Sequence, residues 1–394
     1  MFQQVQEYLM QLLKFISNKF KIPEGATLSC LFLLLCGMIL GGEKKITSVQ
    51  FMPAKVYQFQ SPKYIGRDRV FLLEDENDTQ IIHPQVDNNQ IIINSLKNNT
   101  SDTISIKSNL FWEIYYYINK DSIFLINRHY GTIHLINSSN ELIDSWQIPL
   151  VIDSVRYVID ITRQCDIVLK NSDLYLKVYG VKGQDYIYNF NIDMIYNLKS
   201  KKIIKLFMNY PNTYSTTHNW SNSGSIFTRI IKSDDEIIYN FPAFEDIILY
   251  SLKNNSTKNI KLQKSKYIEE FPPPCFANNW KELGTEYKRT YWIDKPFYKQ
   301  LIYDKYRNLF YRIVSHAQPL RDSLNNYNDD FTRNWSIMVF DDSFNYITEQ
   351  FFQGRKYNPF YTFVAKEGLI IPFDDQYEKK NKGMMYQLFT IKTN

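Results

Sequence analysis

The sequence predicts an all-β protein: a six-bladed β-propeller closed by its N- and C-terminal strands, preceded by an N-terminal helix and membrane segment. Three observations carry this. Beyond residue 45, short apolar runs alternate with polar turns and no long helical period appears. Tyr (30) and Phe (27) are abundant, as suits strands whose half-buried surfaces accept large flat side chains. One phrase, an apolar strand running into a polar turn and a second strand, recurs at intervals compatible with blades of about 40 to 50 residues.

The N-terminus comes first. Residues 1–25 read as an amphipathic helix, with Val5, Leu9, Leu12, Leu13, Ile16 and Phe20 at helical spacing. Residues 26–42 carry no charge and are flanked by Lys14, Lys19 and Lys21 before and Lys44 and Lys45 after. Seventeen helical residues would span about 25 Å, just short of a hydrocarbon core, so a transmembrane anchor and a signal segment both fit. The positive charge ahead of the run favours export of the body. Cys36 is a candidate lipidation site, although Leu35 before it and Met38, Ile39 and Leu40 after it are unusual neighbours for one. A linker at 43–50 leads to a propeller domain at 51–394.

The recurring phrase is clearest at Ile91–Asn99 and Ile248–Asn255, with weaker copies at Met194–Ser200, His134–Ser139, Val339–Ser343 and Gln387–Ile391. Six copies predict six blades, and intervals longer than one blade imply insertions. Gly is scarce at 13, so Asn, Asp and Ser must supply most of the turns. The last unit lacks a fourth strand after Ile391, while residues 51–59 have no partner of their own. Pairing the two closes the ring and removes its exposed edges. A β-sandwich with a second small β domain is the rival architecture.

The net charge of +5 is scattered rather than striped, which argues against nucleic acid. Cys165 and Cys275 are the only cysteines of the body and have no zinc-type spacing; two unrelated thiols are favoured over one disulfide. No Gly-rich phosphate loop, G-x-S-x-G elbow or H-E-x-x-H occurs, so no catalytic residue, cofactor or metal is assigned. Asp304 with Arg307 and Arg312 is a tempting charged cluster. Turn chemistry accounts for it better, with Asp304 and Asn308 capping a hairpin.

Several phrases resemble a known family. Tyr303–Arg312, Ser336–Asp341 and Gly368–Pro372, with Asp235–Pro242 ahead of them, are similar to exported Bacteroidota lipoproteins of domain-of-unknown-function family 4221. The resemblance extends over roughly residues 50–394. It implies a propeller-like exported protein of unknown activity and supplies no catalytic residues. The N-terminus departs from that family's short signal peptide and lipidated cysteine.

Strand parity locates a candidate site. In a four-stranded blade the second-to-third-strand loops share a face with the connections between blades. Residues 207–224, 264–298, 315–335 and 374–384 should therefore gather on one face over blades four to six, and loops of such length are commonly functional. They hold His218, Trp220, Trp280, Tyr287, Trp292, His316, Arg321, Arg333 and Trp335, residue types favoured in binding and sugar stacking. The preferred function is an envelope module, on the membrane through residues 26–42, that binds a protein or glycan. The alternative is a glycan-directed hydrolase or lyase with carboxylates around the channel.

Overall fold

The computed structural model describes residues 46–60, 70–74, 78–107, 113–160, 167–182, 187–214, 218–219, 226–270, 275–276, 284–374 and 383–394. The unit Ser48–Asn394 is the body of the protein. It is built from small antiparallel sheets, six of them blades. Strand β1 (Val49–Gln60) belongs to the last blade. Blade one is β2 (Phe71–Glu74), β3 (Thr79–Gln85), β4 (Gln90–Ser95) and β5 (Thr100–Ser105). Blade two is β6 (Ile114–Asn119), β7 (Ser122–Ile126), β8 (Thr132–Ile136) and β9 (Leu142–Gln147).

Blade three is larger. An extra strand β10 (Val151–Ile152) pairs with β11 (Val155–Ile159). Strands β11 and β12 (Val168–Lys170) together flank β13 (Asp173–Val181), followed by β14 (Asp193–Asn197) and β15 (Lys202–Phe207). A short strand β16 (His218–Asn219) lies in the next connection. Blade four is β17 (Thr228–Ile231), β18 (Glu236–Asn240), β19 (Ile247–Ser251) and β20 (Ser256–Ile260). The following connection contains β21 (Cys275–Phe276) and helix α1 (Thr285–Ile293). Blade five is β22 (Phe297–Asp304), β23 (Leu309–Ser315), β24 (Trp335–Asp341) and β25 (Tyr346–Phe352). Blade six is β26 (Phe363–Ala365), β27 (Gly368–Pro372), β28 (Gly383–Thr393) and, last, β1.

The recurring phrase is the end of each blade's third strand. In blades one to five it runs into the turn to the fourth strand, and the strand's last residue, or the one after it, caps that turn. Ser95 Oγ accepts Asn98 N–H (3.1 Å), and Asn197 Oδ1 accepts Ser200 N–H (2.7 Å). Asn137 Oδ1, Ser251 Oγ and Asp341 Oδ1 do the same in their blades. Each turn closes on a residue with left-handed backbone: Asn99, Asn140, Lys201, Asn255 and Phe344, at φ between 51° and 67°. Asn pays little for that conformation, which explains how so few glycines suffice.

Apolar clusters fill the spaces between blades, such as Ile82, Ile93, Tyr115 and Leu125 between blades one and two. A polar bridge then registers each pair of neighbours. Tyr115 donates to Asn89 Oδ1 (2.9 Å) between one and two, and Trp146 Nε1 to Leu198 O (2.9 Å) between two and three. Arg229 pairs with Asp193 between three and four. Arg312 binds Asn240 between four and five, and Gln350 the Phe51 amide between five and six. Tyr386 meets His83 between six and one.

Closure follows the expected pairing. Phe51 lies opposite Ile391 and Tyr57 opposite Tyr386, with one bulge between Pro53 and Val56. The strand starts at Val49, so the expected linker at 43–50 runs slightly too far. Residues 1–25, the 26–42 segment and Cys36 lie outside the described residues. Among the described residues no helix is long and apolar enough to cross a membrane.

Candidate functional site: the loop face

The two faces of the ring are built differently. On one, the hairpin face, successive strands are joined by short turns, and Ser48 lies beside Asn394. The other face carries the long connections, and these are tied to one another. Strand β16 pairs with β21, joining the connection between blades three and four to the one between four and five. Gln318 N–H donates to Ile293 O (3.2 Å), fastening the blade-five loop to α1. Arg355 N–H donates to Phe331 O (3.0 Å), and Asp374 N–H to Lys356 O (3.0 Å). Gly354 permits the closest approach: a Cβ there would stand 2.2 Å from Thr332 O.

Beneath this platform the polar and aromatic groups are buried. Tyr188, Tyr210 and Tyr214 pack edge to face, with centroids 4.9 and 5.5 Å from Tyr188, and continue into Phe241. Tyr214 Oη accepts Ala243 N–H (3.0 Å), and burial raises its hydroxyl well above the ordinary tyrosine range. Arg312 stacks over Tyr298 (3.5 Å) and donates to Asn240 and to the carbonyl of Phe244. Burial lowers its guanidinium to about 10. At the opposite, hairpin-face end of β22, Asp304 accepts from the backbone of Tyr306 and Arg307, the Arg307 guanidinium and the Tyr311 hydroxyl. Asn308 sits at φ 53°, so the charged cluster is turn and seam chemistry, as the sequence implied.

The predicted site residues divide sharply. Trp335 (1% exposed), Arg333 (1%) and His316 (7%) are interior. Trp335 stacks on Phe352 at 4.2 Å, because it is the first residue of β24 and points into the core. Arg333 pairs with Asp330 (3.2 Å) and donates to Lys295 O (2.8 Å), fixing the base of its loop. His316 stacks under Tyr267 (4.4 Å) and bonds Ser336 Oγ (2.9 Å), which itself donates to Glu349. Burial, with Arg333 adding to it, lowers the imidazole to about 4, so it is neutral at pH 7. These three position the platform and do not reach solvent.

Tyr287 (51% exposed) and Arg321 do stand at the surface. His218 belongs to β16, which places its backbone on the platform, and Trp292 to α1. Trp220 and Trp280 lie outside the described residues. The structure adds two residues that the sequence reading passed over. Tyr327 forms a bridge with Arg321 across a turn and takes its guanidinium at 3.8 Å, and Arg289 of α1 lies 5.1 Å from the same ring. The available signal was the Asp322–Asn326 turn, whose Asp–Asn chemistry brings Arg321 and Tyr327 side by side. A cavity of about 420 Å³ also opens on the hairpin face, lined by Lys97, Glu74 and Tyr306 among others.

Fold and faces together define a six-bladed propeller with a single loop-built platform. The chain belongs to the DUF4221 family, a domain of unknown function, whose profile matches residues 111–351. That span contains Asp235–Pro242, Tyr303–Arg312 and Ser336–Asp341 but not Gly368–Pro372, so the match is narrower than the resemblance suggested. A crystal structure of a DUF4221 member from Bacteroides vulgatus is similar at 17% identity and TM-score 0.71, covering 89% of this chain and 100% of that one. At that identity the likeness shows the fold alone. A Bacteroides fragilis chain provisionally described as exported has 10% identity and TM-score 0.49, with coverage of 89% and 96%. The calcium-binding protein regucalcin from Agrobacterium tumefaciens has 11% identity and TM-score 0.42, with coverage of 87% and 96%. Neither likeness is close enough to carry function. No curated protein matches the sequence.

Proposed function

We propose that the chain is an exported binding module of the cell envelope, held at a membrane through residues 26–42, with its glycan or protein ligand on the loop face over blades four to six. One observation carries the reading: long connections from three blade junctions are fastened into a single platform, while the other face is made of short turns. The exposed Tyr287 and Tyr327 and the half-buried Arg321 are of side-chain types that dominate binding hot spots.

The enzyme alternative asks for free carboxylates near the channel. Among the buried carboxylates, Asp193 bonds Arg229, Asp304 holds the Arg307 turn, and Glu349, on the outer strand β25, accepts from Ser265 and Ser336.

The test presents immobilised envelope polysaccharides and surface proteins to the full chain and to face-specific variants. Tyr287→Ala and Arg321→Ala should weaken binding about tenfold or more, whereas Lys97→Ala and Tyr306→Ala on the hairpin face should not. Loss confined to the hairpin-face variants, or no binding to either class of probe, contradicts the reading.

A further inference from the structure

We infer that the loop face carries a carboxylate-recognition site at Arg289, Arg321 and Tyr327, and that its ligand is a uronate-bearing polysaccharide. This rests on the loop-face reading and specifies the ligand class.

The site is assembled from two elements. Residues 321–327 form a tight turn closed by the Arg321–Tyr327 bridge. Asp322 Oδ1 organises it by accepting Leu324 N–H and Asn326 N–H, both at 2.9 Å. Asn325 adopts φ 65° at its tip. Arg321 thereby lies over the Tyr327 ring at 3.8 Å, and its Nη1 donates to Asn325 O (3.1 Å). Helix α1 contributes Arg289, exposed and 5.1 Å from the same ring.

A guanidinium over a ring is steadied by the ring's quadrupole while its N–H edge stays available for a planar, bidentate partner. The acids nearby do not fill that role. Asp322 and Asp329 are turned into their own loops by backbone N–H donors, the latter accepting Phe331 and Thr332 N–H at 2.9 Å. Glu286 meets Arg321 at 3.5 Å but is 64% exposed, a pair of the weak surface kind that a ligand carboxylate can displace. Arg289 has no carboxylate partner among the described residues. The Tyr327 ring, 45% exposed, adds flat apolar surface of the sort that packs on sugar C–H faces. Carboxylate-binding donors beside stacking surface fit an acidic sugar better than a neutral one.

The experiment titrates the full chain with polygalacturonate, with neutral xylan, and with a poly-glutamate peptide. Polygalacturonate should bind, xylan and the peptide at least tenfold more weakly, and added NaCl should weaken the binding. Arg289→Gln and Arg321→Gln should each cost about tenfold or more, and Tyr327→Ala a comparable amount, while Tyr327→Phe keeps it. Preferred binding of xylan or peptide, or indifference to both arginine variants, overturns the carboxylate site. If xylan binding falls with Tyr287→Ala, the loop-face reading survives that result. If polygalacturonate binding is lost only in Lys97→Ala or Tyr306→Ala, both fail. Urea midpoints of each variant show that folding is unchanged.

Discussion

Arg312 Nε donates to Asn240 Oδ1 at 2.7 Å across the seam between blades four and five, and both residues are completely buried. The guanidinium also satisfies carbonyls of the loop after β18, so one side chain holds the underside of the platform to the ring. Arg312→Leu leaves Asn240 and those carbonyls without their donor. Loss of one member of such a buried network costs about 3 kcal/mol. Urea unfolding should show that loss, and a change under about 1 kcal/mol would mean that the seam does not depend on the bridge.

The turns after each third strand make a second prediction. Lys201 is exposed and held at φ 56°, where an L side chain is strained, in the position that Asn99, Asn140 and Asn255 occupy in blades one, two and four. Lys201→Gly should stabilise the protein by about 1 kcal/mol, and Asn255→Val should destabilise it by a similar amount. Thermal melting of the two variants should move in opposite directions.

These turns also show what was legible. Turn chemistry is local, so Ser95, Asn197 and Ser251 signalled their blades directly. The pairing of β1 with β28 was legible because an unpartnered strand remained at each end. The extra β10–β11 hairpin was not, since Val151–Ile152 is too short to stand out; only the adjacent left-handed Asp153 and Ser154 mark its turn. His316 and Arg333 do lie in the loop between β23 and β24, but their burial depends on tertiary partners that a single sequence does not show, whereas Trp335 is the first residue of β24, at a strand end that sequence places only to within a residue or two. One position decides whether a Trp faces core or solvent.

His316 supplies a pH dependence. Folded, burial holds its proton affinity down to about 4; unfolded, it titrates near 6.5. Between those values the unfolded chain binds the extra proton. The stabilisation is complete above about pH 6.5 and is lost as pH falls towards 4. The contribution is up to about 3 kcal/mol. His316→Gln, which can still donate to Ser336, should flatten the stability profile across that window. An unchanged slope would place the acid sensitivity elsewhere.

Export and retention make a further prediction from residues 26–42. Fractionation should recover the full chain with membranes, and a chain beginning at residue 46 should be released. A lipid probe compared between wild type and Cys36→Ala separates lipidation from a bare apolar anchor. Recovery of the full chain as a free cytoplasmic protein contradicts this assignment.

The central claim is that the ring is closed by its two ends, β1 pairing with β28 in blade six. Strand β1 contributes Val49, Phe51, Tyr57 and Phe59 to the core, each worth about 1.5 to 3 kcal/mol. Its removal also exposes the edge of β28. The most direct measurement compares urea unfolding of the chain with and without Val49–Gln60. Closure predicts a loss of about 5 kcal/mol or more, affecting the whole domain in one transition. An unchanged midpoint, or loss of blade six alone with the remainder still melting as before, would contradict it.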